Sequence, residues 1–255
     1  MTRPGASRPF WRSAELLLAL AGLVLTAPVV AVCAAAVWLQ DRRNPFYLAP
    51  RIGINSRQFT MFKLRTMTIP ASGSELDSTA ADDPRLTAVG RLIRRLKIDE
   101  LPQLLNVVGG TMSIVGPRPQ VAREVAIYTT EERRLLTVAP GVTDLASIVF
   151  ADLQDILRGA PDPNLAYGQL VRPWKSRLGL LYLDWRSPRL DLAIIWLTVI
   201  NAIARQRALA AIQRLTRELG ASSELVRVSG RRDPLVPTPP PGARSVVTSR
   251  TQPPT

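Results

Sequence analysis

Residues 82–119 read DDPRLTAVGRLIRRLKIDELPQLLNVVGGTMSIVGPRP, and the character of the chain turns on this stretch. Thr87 is a candidate N-cap, a hydroxyl able to accept from the unpaired N–H groups of a first helical turn. Leu92, Ile93 and Leu96 recur at helical spacing among Arg91, Arg94, Arg95 and Lys97, which predicts a basic amphipathic helix. Such a helix suits an anionic membrane surface, or is simply a solvated face. Asp99 and Glu100 follow, just before Leu101-Pro102, which can open a short helix through Val108. Carboxylates there lie near the positive end of a helix dipole, which keeps them ionised and also favours an incoming phosphate. Neighbouring residues in a turn point in different directions, so one acid can attack while the other holds a metal. Gly116-Pro117-Arg118-Pro119 makes a rigid loop presenting one guanidinium, suited to bidentate phosphate contact. Taken singly, an acidic pair is an ordinary helix start and one GPRP loop is a weak signal.

Upstream, residues Asn44 to Met67 read as a β-element, with turn chemistry at Gly53-Ile54-Asn55-Ser56. Period-two geometry puts Phe59, Met61, Lys63 and Arg65 on one face and Thr60, Phe62 and Leu64 on the other. Lys63 and Arg65 therefore project together, which by itself describes a solvated strand face. Between this element and Asp82 runs a polar loop, Ala71 to Ala81.

Ala14 to Leu39 is one apolar run, broken only by Glu15 near its start. At about 1.5 Å per residue it is long enough for a hydrocarbon core of roughly 30 Å. A cleaved signal peptide would use Arg3, Arg8 and Arg12 as its basic start, but no disulfide-stapled secreted domain follows. Its lipoprotein version would modify Cys33, and the bulky Val32 before it is unsuitable. A plain transmembrane anchor and a re-entrant helix remain. Pro28 near the middle removes a helix hydrogen bond and kinks the chain. Arg42, Arg43 and Arg51 make the far flank as basic as the near one, whereas a spanning helix calls for charge asymmetry. Trp11 and Trp38 bracket the run as interface anchors under either reading, and the residues leave span and re-entry open.

Near the other end, Ser187-Pro188 makes a helix start. Leu190 to Ile203 is apolar almost all round but too short to span, so a buried or interfacial helix is expected. Arg205 to Leu219 is amphipathic, and Gly220 ends it. From Ala221 the chain turns to Pro, Ser, Thr and Arg, including Pro239-Pro240-Pro241, a composition that predicts a disordered tail.

Composition narrows the chemistry. Of 255 residues 46% are hydrophobic although 21% are charged, so the apolar residues are concentrated in places. The net charge of +13 calls for an anionic partner: lipid headgroups, phosphate-bearing substrates or nucleic acid. With no recognisable nucleic-acid-binding module, the last has nothing behind it. Histidine is absent and Cys33 is the one cysteine. Ser-His-Asp and Cys-His catalysis, His-ligated zinc and intramolecular disulfides are excluded. Carboxylates, Lys, Tyr, Ser or Thr must do the acid–base and nucleophilic work.

Taken in order, these pieces resemble the bacterial sugar transferase family, the monotopic polyprenyl-phosphate phosphoglycosyl transferases. The matching blocks are Arg51-Ile52-Gly53, Phe59 with Phe62-Lys63-Leu64-Arg65-Thr66-Met67, and Asp83-Pro84-Arg85-Leu86-Thr87 with Gly90. They continue through Asp99-Glu100-Leu101-Pro102-Gln103-Leu104 with Asn106-Val107, Met112 to Pro119 and Pro140-Gly141-Val142-Thr143. A weaker match surrounds Tyr182 and Asp191, so the likeness covers roughly residues 14 to 203. The resemblance implies a mainly α fold with a small β-hairpin, interfacial amphipathic helices and a re-entrant N-terminal helix broken at Pro28. It implies three parts: a membrane segment over residues 1–43, a catalytic domain over 44–220 and the tail over 221–255.

The resemblance also implies a reaction. Asp99 would displace UMP from a UDP-sugar to form a covalent phosphosugar, while Glu100 helps hold Mg2+. Lys63, Arg65 and Arg118 would neutralise phosphates, and polyprenyl (undecaprenyl) phosphate would then take the sugar phosphate. Such a reaction starts a surface polysaccharide or glycan, with the catalytic domain on the cytoplasmic face of a bacterial inner membrane beside anionic lipids. Three departures stand out. Lys97-Ile98 replaces the usual Ser-Leu before the acids, Thr111 replaces an acidic residue, and Thr143-Asp144-Leu145-Ala146-Ser147 replaces Thr-Gly-x-x-Gln. The last bears on the sugar or nucleotide pocket. A membrane-bound scaffold without catalysis is the competing expectation, though a scaffold needs neither the acids, the GPRP loop nor the basic strand.

Overall fold

The computed structural model of the chain describes residues 9–68 and 83–249. The polar loop 71–81, Arg3 and Arg8 lie outside the described residues. Over the described residues the fold is mainly helical, with two small two-stranded sheets.

Helix α1, Pro9–Asp41, carries the apolar run. Pro28 lies inside α1, with helical backbone on both sides of it. A proline inside a helix costs about 3 kcal/mol, and packing on both sides of it opposes that cost. Before Pro28, Gly22 lies against Leu104; after it, Val37 packs with Leu64 and Ile93, flanked by Val30, Cys33 and Ala34. Leu17, Val24, Leu25, Val32 and Leu39 on the remaining surface are exposed.

Strands β1 (Phe46–Ile52) and β2 (Gln58–Leu64) pair antiparallel from Phe46↔Leu64 to Ile52↔Gln58. The turn runs through Ile54–Ser56, with Asn55 at φ 53°, a left-handed conformation that asparagine tolerates better than most residues. The hairpin read from the sequence is therefore present. A second, parallel pair, β3 (Ser113–Val115) with β4 (Gly141–Thr143), was not legible there. Gly141 is required at that crossing, since a Cβ would lie 2.1 Å from the Gly116 nitrogen.

Helix α2, Ala88–Arg95, starts as expected, with the Thr87 hydroxyl accepting from the Gly90 N–H at 2.8 Å. It presses so closely on the end of the hairpin that a Cβ at Gly90 would sit 1.9 Å from the Thr66 carbonyl oxygen. Ile93 faces the core while Leu92 and Leu96 face outward. After a 3-10 turn at Ile98–Glu100 comes α3, Gln103–Val108. Its Asn106 amide copies a strand neighbour: Oδ1 accepts from the Phe62 N–H at 3.0 Å and Nδ2 donates to the Thr60 carbonyl at 2.7 Å. Two side-chain bonds thereby fix α3 against β2.

Short helices α4 (Ala122–Ala126), α5 (Leu145–Val149), α6 (Leu153–Ile156) and α7 (Pro163–Ala166) lead to three longer ones. These are α8 (Arg172–Trp185), α9 (Pro188–Ile203) and α10 (Arg205–Glu218). Leu145, Ile148, Trp174, Leu178, Tyr182, Ile194 and Ile212 form the main core. Within it Tyr182 donates to Asp191 at 2.7 Å, giving this weaker sequence match a structural reason. Helix α9 starts on the Ser187 cap as expected and exposes Leu192, Trp196, Val199 and Ile203.

The tail departs from expectation. Ser222 caps a further helix, α11 (Ser223–Ser229), whose Leu225 and Val226 are buried. Arg231 pairs with Asp152 at 3.2 Å, and Arg177 donates to the Pro239 carbonyl at 2.9 Å. Gln169 donates to the Val247 carbonyl at 2.8 Å, and Val247 is buried. A proline-rich segment cannot form its own core, but its preset backbone loses little entropy on docking to one already built.

Candidate active site

The acidic pair sits in the 3-10 turn between α2 and α3, and the two acids have different surroundings. Glu100 faces cations from two directions. Arg118 makes a two-pronged contact with it, Nη1 donating to Oε2 at 3.2 Å and Nη2 to Oε1. Lys63 Nζ, from β2, lies 3.5 Å from Oε1. Burial alone would raise the Glu100 pKa, but Arg118 and Lys63 outweigh it and hold the acid well below the usual range.

Asp99 is more deeply buried, at 6% exposure. Its Oδ2 is 3.9 Å from Lys63 Nζ, and its Oδ1 has no hydrogen-bond partner among the described residues. Burial pushes its pKa upward and the negative charge of Glu100 adds to that, opposed by Lys63, Arg94 and Lys97. Adjacent acids with opposed shifts are suited to different tasks. Glu100 is the fixed anion, and Asp99 carries the unpartnered oxygen. Lys63 is itself shifted downward, by burial first and then by Arg118, against the pull of both acids.

The loop that brings in Arg118 is anchored from behind. Asp144 accepts from the Arg118 backbone N–H at 3.2 Å through Oδ2, and its Oδ1 caps α5 by accepting from Ser147 at 2.5 Å. One carboxylate thus ties the GPRP loop to a helix start.

Of the residues picked from the sequence, Lys63, Asp99, Glu100 and Arg118 meet. Arg65 does not join them. It lies just beyond the end of β2, and its guanidinium grips Asp41 at the end of α1 with contacts of 2.6 and 2.7 Å. Its Nε donates to the Asn44 carbonyl at 2.8 Å. The phosphate role expected for Arg65 is replaced by that of a clamp on the membrane helix, because Asp41 neutralises it. Pro28 lies within α1 and terminates nothing.

The sequence reading missed Arg94, Lys175 and the anchoring part of Asp144. Arg94 belonged, on the sequence, to a basic face suited to an anionic membrane surface or to solvent. The docking of α2 instead turns it inward, where Nε donates to Thr66 Oγ1 at 2.7 Å and its charge acts on Asp99 and Glu100. Asp144 had a local signal, an acid three residues before Ser147. Lys175, far along on α8, had none.

A long apolar helix packs on α2, α3 and β3, the elements that flank the acid–cation cluster, and is long and apolar enough to cross a membrane. The bacterial sugar transferase family model matches residues 6–205. The EpsL protein of Bacillus subtilis, described as an uncharacterized sugar transferase, is 36% identical over 197 residues, spanning 75% of this chain and 86% of that one. The exopolysaccharide production protein ExoY of Sinorhizobium fredii is 38% identical over 163 residues, spanning 56% and 72%. The undecaprenyl-phosphate glucose phosphotransferase of Komagataeibacter xylinus is 37% identical over 210 residues; the match takes in 79% of this chain and 36% of that longer protein. The chain belongs to the bacterial sugar transferase family.

Proposed function

We propose that the protein moves a sugar-1-phosphate from a UDP-sugar to polyprenyl (undecaprenyl) phosphate through an intermediate on Asp99, the first step of a surface polysaccharide or glycan. The observation that carries the reading is the asymmetry of the pair, a cation-held Glu100 beside an Asp99 with an unpartnered buried oxygen. An Asp99 oxygen attacks the phosphorus that bears the sugar. The P–O–P bond breaks, UMP leaves, and an acyl-phosphate remains. An oxygen of the lipid phosphate then attacks the same phosphorus, releasing polyprenyl-diphospho-sugar and restoring the carboxylate. Lys63 and Arg118, which both reach the acidic pair, would neutralise the charge that develops on the phosphate oxygens.

The residues also fit Mg2+, which typically takes one or two carboxylates and completes its shell with substrate phosphates and water. Glu100 would hold it, with the unpartnered Asp99 oxygen close by. When bound, the ion would neutralise the diphosphate of the donor.

The reading places the polar domain on one membrane face, the cytoplasmic one, with α1 re-entering. The polar groups at both ends of α1 bind the same domain, which supports this. Arg12 donates to the Val107 carbonyl at 2.5 Å and Glu15 accepts from the Ser113 hydroxyl, while Asp41 pairs with Arg65. Leu92, Leu96, Leu105, Trp196 and Ile203 would rest in the bilayer, and the surplus of basic residues would meet anionic lipids.

The test is intact-mass measurement of purified protein incubated with Mg2+ and a panel of UDP-sugars without lipid. Wild type is expected to gain one phosphosugar and release UMP, and Asp99→Asn to do neither. An adduct on the variant would remove Asp99 as nucleophile. No turnover with any donor, even after addition of polyprenyl phosphate, would leave the scaffold reading.

A further inference from the structure

Besides gripping Glu100, Arg118 lines a cavity of about 380 Å3 that neither acid of the pair lines, the size of a small-molecule site. Tyr128, Asp144, Tyr167, Arg172 and Lys175 share its wall. Tyr167 opens a π-helical turn, Tyr167–Val171, between α7 and α8. Such turns are rare and are kept mostly at functional sites. Each tyrosine ring is faced by a cation, Arg172 at 5.4 Å from the centre of Tyr128 and Lys175 at 5.2 Å from that of Tyr167.

The polar groups around this cavity are unevenly spent. Asp144 accepts from the backbone N–H groups of Arg118 and Ser147, and Glu124, also in the wall, is engaged as well. Glu132, buried beside Arg172, accepts from that guanidinium, from the Ser176 hydroxyl and from the Thr129 N–H. Arg172 is itself buried. Its Nε and Nη2 are taken by Glu132 and the Ile127 carbonyl, while Nη1 has no hydrogen-bond partner among the described residues. A buried donor without an acceptor is costly, and a ligand that brings the acceptor relieves that cost. Sugar hydroxyls would need acceptors in return, and the carboxylates have given theirs to the protein itself. A phosphate would sit against Asp144 and Glu124, with the Arg172 charge already answered by Glu132. A flat ring carrying carbonyl oxygens suits both the aromatic wall and the unspent donors.

We propose that this cavity holds the uracil ring of the donor nucleotide, walled by Tyr128 and Tyr167, with Arg172 Nη1 and the Lys175 ammonium donating to its carbonyl oxygens. The proposal rests on the transfer reading above and deepens it. Arg118 joins the two regions, since it reaches Glu100 and also lines the cavity. A diphosphate at the acidic pair would therefore lead its uridine past Arg118 toward the tyrosines. Cytosine has nearly the same shape but carries an amino group in place of one carbonyl. A site built from donors should reject it.

The test is calorimetric titration of the full chain in phosphatidylcholine nanodiscs, with Mg2+, against UMP, CMP and ribose 5-phosphate. The last keeps the phosphate and lacks the base. Wild type should bind UMP about tenfold more tightly than CMP. Two variants are compared with it: Lys175→Met, and Arg172→Lys, which keeps a charge for Glu132 but gives up the planar fork. Each should weaken UMP about tenfold and bring it level with CMP, with ribose 5-phosphate unchanged. Unchanged ribose 5-phosphate binding also shows that a variant is folded, and the half-buried Lys175 carries the test if Arg172→Lys fails to fold. An equal fall for UMP and ribose 5-phosphate would make this a phosphate site and overturn the proposal. UMP binding unchanged in Lys175→Met would overturn it too, and a raised half-saturation for UDP-sugar beside it would mark a sugar subsite instead. Wild-type affinity for UMP no better than for CMP would also sink it. A wild type that prefers UMP yet gains no phosphosugar from any UDP-sugar would keep the uracil site and overturn the reaction.

Discussion

Asp99 and Glu100 share a turn, yet one is held ionised by Arg118 and Lys63 while the other is buried with an oxygen unpartnered. This difference fixes the sign of two effects. Asp99 has a pKa above that of an unfolded aspartate, near 3.9, because burial and Glu100 oppose its charge. Its contribution to stability is therefore fully present below pH ~3.9 and is lost as pH rises through the raised folded value. Once ionised, the side chain works against folding. Asp99→Asn should abolish the phosphosugar adduct and raise the melting temperature of the ligand-free protein, by roughly 2–4 °C per kcal/mol relieved. Calorimetry beside intact mass checks both, and a lower melting temperature would contradict the assignment of strain. In the wild type, UMP release without lipid should decline with acidification at a pH above the ordinary aspartate range, since the attacking group must be ionised. A pH–rate profile of that half-reaction measures it.

At the scale of elements, the site depends on how closely α2 and α3 approach the hairpin. Asn106 couples α3 to β2 through two hydrogen bonds, and Gly90 lets α2 touch the Thr66 backbone. A methyl group at Gly90 would collide with backbone, not with a movable side chain. Gly90→Ala should therefore lower stability by more than about 2 kcal/mol, or shift α2 and carry Arg94 away from Asp99. Chemical denaturation measures the first outcome and the adduct rate the second. The end of α1 provides a contrast. Arg65 is buried and spends its guanidinium on Asp41 and neighbouring carbonyls, so Arg65→Gln should loosen the helix-to-domain joint. A lower melting temperature with unchanged half-saturation for the UDP-sugar is the expected pair of results. A selective loss of donor affinity would return Arg65 to the phosphates.

For the molecule as a whole, the helical body is closed by its own C-terminal segment. The irregular run after α11 contacts α8 through Arg177 and reaches the turn near Thr129, whose hydroxyl donates to the Pro241 carbonyl at 2.6 Å. Because α8 also carries Lys175 and Arg172 into the cavity beside Arg118, the segment braces one wall of the site. Truncation after Gly230 should lower the melting temperature and raise protease sensitivity around α8, while the dyad keeps its own contacts. Limited proteolysis followed by mass mapping tests this. Cleavage of the intact protein within residues 231–249 at the rate of an unfolded peptide would show that the segment is not docked.

The sequence by itself determined the features set by neighbours along the chain. These are the apolar helix, the hairpin with its Asn55 turn, the Thr87 and Ser187 caps, the stop at Gly220 and an acidic pair opening a helix beside a GPRP loop. Periodicity and capping are local physics, and the order of the blocks was enough for family membership. Only the tertiary structure decided which acid is held ionised, because Lys63 and Arg118 reach Glu100 from 37 positions before it and 18 after. Arg65 was drawn to Asp41 and Arg94 inward by packing that strand and helix periods do not encode. The tail is ordered for the same reason: its composition describes how little core it can form alone, and docking depends on the surface that the rest of the chain presents. Burial and charge are sums over residues distant in sequence, and they separate Asp99 from Glu100 where the sequence sets them side by side.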